Sequence, residues 1–141
     1  MKAEKVVFDT NVLVSSILSP YGKPARSVSW VIDNGILVAS APLLEEFASR
    51  IRRPKFSKYT TPERVAEFIA TIHDGAVQVG LVGDLHVCRD ADDDKVLETA
   101  LRGRASWIVT GDSDLLVLHP FRGIQIVLPH VFLAAVASPT P

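Results

Sequence analysis

Apolar and polar positions along this chain switch repeatedly between a strand-like and a helix-like period. Val6 to Phe8 is a short β-favouring run opening onto Asp9-Thr10-Asn11. Beyond it Val12, Leu13, Ile17 and Leu18 recur at helical spacing until Pro20 and Gly22 end the segment. Pro24 suits the first turn of a second helix, with Val28, Val31 and Ile32 inward and Asn34-Gly35 as its stop. Ile36 to Ala39 reads as a second buried strand, and Pro42 opens a third helix whose Leu43, Leu44, Phe47 and Ile51 form one stripe. Pro54 closes that helix. Thr61-Pro62-Glu63 starts a fourth, with an N-cap, a first-turn proline and an acid near the positive helix end. Val65, Phe68, Ile69 and Ile72 are its inward face, and Asp74-Gly75 its end. Val77 to Val82 alternates like a third strand, and Val96, Leu97, Ala100 and Leu101 mark another helix ending near Gly103. Trp107 to Val109 and Gln125 to Leu128 are further strands. A closing helix runs from Pro129 to Val136, and the terminal Ser-Pro-Thr-Pro is expected to fray.

Strands alternating with helices predict an α/β fold, with a parallel sheet of about five strands covered on both faces. No repeat, linker or composition break divides residues 1–141, which are expected to form one domain. No apolar run approaches the length of a membrane span, and the N-terminus lacks a signal-peptide layout. Cys88 is the one cysteine, so no intrachain disulfide forms, and a reducing cytoplasm is the expected location. Its expected role is that of a small buried apolar residue. With a net charge of −1 the molecule as a whole does not attract nucleic acid. Any such binding needs a local basic patch or a bound cation.

The chemistry concentrates between Arg89 and Leu116, where nearly half of the 16 acids lie in one fifth of the chain. Asp90, Asp92, Asp93 and Asp94 precede a helix, and Asp112 and Asp114 follow a strand. Two like charges about 4 Å apart repel by up to roughly 4 kcal/mol at an effective dielectric near 20. Such a cluster therefore points outward into water or converges on a divalent cation. In open parallel sheets, sites form beyond the carboxyl ends of strands, where Asp9 and Asp112 both fall. Asp92 or Asp93 is expected to cap the following helix. That leaves Asp94 further inside, and Asp94→Asn is expected to raise the metal-free melting temperature by relieving repulsion. Glu45 and Glu46 flank the third helix's apolar stripe on opposite sides, and periodicity does not choose between them. Arg50, Arg52, Arg53, Lys55 and Lys58, with Phe56 and Tyr59 nearby, form either a solvated loop or a phosphate-contacting arm.

Other chemistries are excluded by pattern. No phosphate-binding glycine loop, nucleophile elbow or C-x-x-C is present, and the four histidines lack zinc-site spacing. Asp90, Asp92 and Asp94 imitate the start of a calcium loop, but Lys95 and Leu101 stand where it needs glycine and glutamate. What remains is an all-oxygen site for Mg2+ or Mn2+, suited to phosphoester chemistry.

VVFDTNVLVSS, LLEEFASRIRRPKF, CRDADDDKVLETAL and WIVTGDSDLL together resemble the PIN domain family, nearest the toxin branch of VapBC-type toxin–antitoxin pairs. The likeness runs from Val6 to about Leu118. It implies a three-layer α/β/α sandwich around a mostly parallel sheet, and a Mg2+- or Mn2+-dependent ribonuclease. On this chain the family's four acids correspond to Asp9, Glu46, Asp94 and Asp112, with Asp93 competing for the third place and Asp114 an auxiliary ligand. Asn11 and Thr110 match small polar residues that support those acids.

The implied activity is endonucleolytic cleavage of single-stranded or loop RNA, leaving 3′-hydroxyl and 5′-phosphate ends, with Arg50, Arg52, Arg53 and Lys55 on the backbone. The implied partners are RNA and a cognate antitoxin, and similar proteins often dimerise. The alternative is a non-catalytic metal-binding module acting through an antitoxin or RNA partner. A dehalogenase-like phosphatase needs an acid where Asn11 stands, and a response-regulator receiver needs a late lysine that the chain lacks.

Overall fold

The computed structural model describes residues 3–137. The expectation that the last four residues fray lies outside that range. The order is β1 (Lys5–Phe8), α1 (Thr10–Leu18), α2 (Lys23–Asn34), β2 (Ile36–Ala39), α3 (Ala41–Ile51), a 3-10 turn (Pro54–Phe56), α4 (Pro62–Gly75) and β3 (Val77–Gln78). It continues with α5 (Ala91–Arg102), β4 (Trp107–Val109), α6 (Ser113–Leu116), β5 (Gln125–Val127) and α7 (Pro129–Ala137). The five strands form one sheet in the order β3-β2-β1-β4-β5, and every pairing is parallel.

The strands other than the exposed edge strand β3 are largely apolar on both faces because both are covered. Val6, Phe8, Leu37, Trp107, Val109 and Val127 turn to the layer containing α1, α2, α4 and α7. Val7, Val38, Ile108 and Ile126 turn to α5 and α6. That is the three-layer α/β/α sandwich of a PIN-like fold. Phe132 of α7 is wedged edge-on between Trp30 and Trp107, at centroid distances of 5.7 and 5.3 Å. It ties α2 and α7 to the sheet.

Chain order runs outward from β1 through β2 to β3 on one side, then returns to β4 and β5 on the other. The reversal lies between β1 and β4. Helices on opposite faces diverge there and leave a crevice beyond the strand ends. The segments after these two strands, Asp9 and Thr110-Gly111-Asp112, meet at that point.

Two local expectations differ from the structure, and one short element was not foreseen. The third strand pairs only through Val77 and Gln78. Val79 to Asp90 then crosses without regular structure, because side chains of α5 take the loop's backbone donors in place of a neighbouring strand. The Asp112–Leu116 stretch, too short to show a period, closes as the single turn α6. The cap of α5 is Asp90, whose Oδ1 accepts the Asp92 N–H at 2.9 Å, instead of Asp92 or Asp93. At the other end of α5, Gly103 lies against β2. A Cβ there would stand 2.3 Å from Val38 Cγ1, so only glycine lets the helix end close on the sheet.

Candidate metal centre

Asp9 occupies the N-cap position of α1, yet its side chain makes no cap hydrogen bond. It turns across the crevice instead, and Thr110 Oγ1 donates to its Oδ2 at 2.7 Å. The same Thr110 oxygen accepts the Asp112 N–H at 3.0 Å, so one hydroxyl positions both acids. Thr110 is fully buried and Asp9 is 6% exposed. Burial pushes the Asp9 carboxyl above its ordinary value, the Thr110 hydrogen bond partly offsets this, and Asp112 adds repulsion.

Asp112 caps α6, its Oδ1 accepting the Asp114 N–H at 2.9 Å. Asp93 reaches it from α5. One carboxylate oxygen each from Asp93, Asp112 and Asp114 lie within 4.8 Å of one another, forming the three-acid group that could hold a metal ion among the described residues. Burial, then the charge of Asp112 and a hydrogen bond shared with it, push the Asp93 carboxyl up to about 7. The charges of Asp9 and Asp90 contribute to the same rise.

Asp93 is thus the acid of α5 that converges with Asp112 and Asp114, and Asp94, expected there from the sequence, lies outside that group. The Asp94 carboxylate turns toward the preceding loop, where its Oδ1 accepts the N–H groups of Val87 and Cys88 at 2.9 and 2.8 Å. Adjacent residues on a helix point about 100° apart, so one of this pair faces the crevice while the other faces the loop. Burial opposes the Asp94 charge. The Cys88 and Val87 donors outweigh it, and the carboxyl sits below its ordinary value. One turn on, Glu98 does the same work: it accepts from the Val82 and Gly83 N–H groups at 2.7 and 3.0 Å and from Arg102 Nε at 2.8 Å. Burial pushes the half-buried Cys88 thiol up to about 12, with the Asp94 hydrogen bond adding to it. That keeps it a protonated packing group.

Glu46 of α3 joins the cluster's edge and Glu45 does not, since Glu45 is exposed. Burial raises the Glu46 carboxyl while Arg50 opposes the rise, and the charges of Asp92 and Asp9 also reach it. Arg50 ion-pairs with Glu46 and donates through Nη1 to Asn11 Oδ1 at 2.7 Å. Asn11 thus supports the site through the arginine. Arg52, Arg53 and Lys55 lie beyond the end of α3, all exposed, with Lys55 Nζ 5.0 Å from the Phe56 ring centre.

Two rim cations were not foreseen. Arg89 Nη2 pairs with Asp114 Oδ1 at 2.8 Å, and Lys95 Nζ with Asp92 Oδ1 at 2.9 Å. Asp92 and Lys95 stand at i,i+3 on α5, a helical spacing that would have found that pair, whereas Arg89 and Asp114 are 25 residues apart and no spacing joins them.

The donor set suits a hard divalent ion. It is all oxygen, several carboxylates share one concavity, and burial together with the neighbouring acids disfavours the charged form of Asp93. Thr10, beside Asp9, is buried with its Oγ1 unpartnered. A pH signature follows. Between its unfolded value near 3.8 and about 7, folded Asp93 keeps a proton that the unfolded chain has lost. Metal-free stability should therefore fall as pH rises through that window, Asp9 and Glu46 acting in the same direction. Thermal melts without metal should lose a few degrees between about pH 5 and pH 8, and Mn2+ should restore them at the higher pH. A flat metal-free profile would mean the acids do not repel.

Comparison with known proteins gives three findings. The family model described as PIN domain matches residues 5–114. An uncharacterized protein of Methanocaldococcus jannaschii is 33% identical over 116 residues, covering 81% of this chain and 74% of that protein. The crystal structure of VapBC2 from Rickettsia felis bound to a DNA fragment from their promoter contains a chain of the same fold. It matches with a TM-score of 0.57 at 12% identity, over 86% of this chain and 96% of that one.

Proposed function

Since the chain belongs to the PIN domain family, we propose that it is a Mg2+- or Mn2+-dependent endoribonuclease and the toxin of a toxin–antitoxin pair. The observation that carries this reading is the meeting of Asp93, Asp112 and Asp114 within 4.8 Å at the sheet's reversal point, beside Asp9. Asp9, Glu46, Asp93 and Asp112 would hold the metal, with Asp114 as a further ligand. When bound, the ion supplies the positive charge that favours attack by water on the phosphodiester and accommodates the leaving oxygen.

The remaining work falls to this chain's own groups. Thr110 fixes Asp9 and Asp112 relative to each other, so the acids need not reorganise when loaded. Arg50 neutralises Glu46 and stands where an RNA phosphate would compete for its guanidinium. Arg52, Arg53 and Lys55 extend that basic edge away from the acids. Hydrolysis adds water across the P–O3′ bond, so the products are a 5′-phosphate and a 3′-hydroxyl and the RNA 2′-hydroxyl takes no part.

The antitoxin partner is proposed from the fold shared with a chain of the Rickettsia felis complex. No described helix is long and apolar enough to cross a membrane, and a cytoplasmic location is proposed alongside the RNA substrate. End-labelled single-stranded RNA incubated with the protein and Mn2+ should be cut internally, and a chelator should stop cleavage. The new ends should be substrates for enzymes that require 3′-hydroxyls. Chelator-resistant cleavage, 2′,3′-cyclic phosphate ends, or no cleavage would each overturn the proposal.

A further inference from the structure

Asp93, Asp112 and Asp114 converge, yet among the described residues only Asp114 of the three carries an ion pair, from Arg89 Nη2 to its Oδ1 at 2.8 Å. A divalent ion among these acids would draw on the same carboxylate charge, so ion and guanidinium compete for it. The pair joins two segments that meet only at the crevice, the crossing before α5 and the single turn α6.

Arg89 is held differently from Arg50. The Arg50 side chain is 27% exposed and is bound by both Glu46 and Asn11, which fixes it. The Arg89 side chain is 86% exposed and makes the one contact with Asp114, leaving the other donors of its fork without a described partner. A single exposed pair of this kind is weak and exchanges readily. The backbone beneath it is anchored on both sides: Asp94 accepts the Cys88 N–H, and Asp90 caps α5. The root of the side chain therefore stays at the crevice whichever partner the tip takes. Guanidinium forks bind carboxylate and phosphate with the same donors.

We infer that Arg89 is a resident counter-ion of the acid group. It neutralises Asp114 in the metal-free protein, and passes to a backbone phosphate of the RNA when a divalent ion takes over that charge. This rests on the ribonuclease reading and deepens it by coupling the ion to the strand. Releasing Arg89 from Asp114 favours phosphate binding, and a phosphate that draws Arg89 away favours the ion, as linkage requires.

Calorimetric titration of Mn2+ into the full chain, without RNA and at low salt, reads the first half. Arg89→Gln should lower the Mn2+ Kd by roughly twofold to fivefold, the effect of losing one exposed competing pair. Arg89→Lys should stay near the parent. In protein carrying Asp114→Asn, the same Arg89→Gln change should alter the Kd by less than about 1.5-fold, because the contact through which it acts is gone. Arg26→Gln removes an equal charge from α2, where no described acid pairs with it, and should leave the Kd unchanged. Steady-state cleavage at saturating Mn2+ reads the second half. There Arg89→Gln should raise KM for single-stranded RNA about fivefold and leave kcat within about twofold, the mark of a lost binding contact. Tighter Mn2+ with a higher KM is thus the expected signature. An unchanged Mn2+ Kd overturns the counter-ion, as does an unchanged KM. So does an equal gain in the Asp114→Asn background, which would come from a diffuse field and not from exchange at that carboxylate. Mn2+ binding by the parent with Arg89→Gln silent removes the counter-ion alone, whereas a parent that binds no Mn2+ overturns the metal-dependent reading and the counter-ion with it.

Discussion

Asp112→Asn is expected to lower kcat/KM for RNA cleavage by roughly 10³-fold, about 4 kcal/mol, while leaving the protein folded. Asparagine keeps the shape of the side chain and its Oδ1, so the hydrogen bond from the Asp114 N–H that caps α6 survives. What disappears is the charge at the centre of the acid group, on which Asp93 and Asp114 converge and beside which Asp9 sits. Metal affinity should fall with it, and the metal-free melting temperature should hold or rise. Asp9→Asn should behave alike, because Thr110 can still donate to the remaining amide oxygen. The measurement is initial cleavage rate against Mn2+ concentration, with thermal melts as the folding control. Variants within about twofold of the parent rate would remove these residues from catalysis.

Asp94→Ala should instead unfold the protein more readily, whatever its effect on cleavage. The Asp94 carboxylate is buried and holds two backbone donors of a crossing that has no ladder of its own. Each such bond to a charged acceptor contributes about 1.5–3 kcal/mol. Losing both should cost about 3 kcal/mol or more, roughly 10 °C of melting temperature at this size. Because the Asp94 carboxyl is lowered, its contribution is complete above the unfolded value near 3.8 and disappears as pH falls through the lower folded value. The gap between parent and variant should therefore be wide at neutral pH and close only in strong acid. Asp93→Asn should do the reverse: it removes a charge that burial and Asp112 oppose, so metal-free stability should rise near pH 8 and the Mn2+ shift should shrink. The expectation that Asp94→Asn relieves repulsion is thus reassigned to Asp93. Equal melting temperatures for Asp94→Ala and the parent would show that the loop does not depend on this side chain.

The sheet was legible in the chain because its signal is local. Five apolar runs, separated by 3.6-period stripes and stopped by Pro20, Asn34-Gly35, Pro54 and Asp74-Gly75, leave little alternative to parallel strands covered on both sides. The third run was overextended. Its alternation from Val77 to Val82 looks like strand pairing, but after the Val79 N–H, which still reaches the Ala39 carbonyl, the Val82, Gly83, Val87 and Cys88 donors go to Glu98 and Asp94. A side-chain acceptor sixteen residues away leaves no period to detect.

Composition and pattern by themselves determined that acids gather behind strands one and four, and that an oxygen-rich cation site is the chemistry they fit. They could not decide between Asp93 and Asp94, because helix period places both near the N-terminus and only the packing of α5 fixes which one faces the crevice. They left Glu45 and Glu46 open for the same reason, until α3 packed with one exposed and the other paired with Arg50 at the edge of the acids. The contacts of Arg50 with Asn11 and of Arg89 with Asp114 arise where segments distant in sequence come within a few ångströms. A contact of that kind is a property of the folded surface, since the chain records which groups exist while the tertiary structure decides which of them meet.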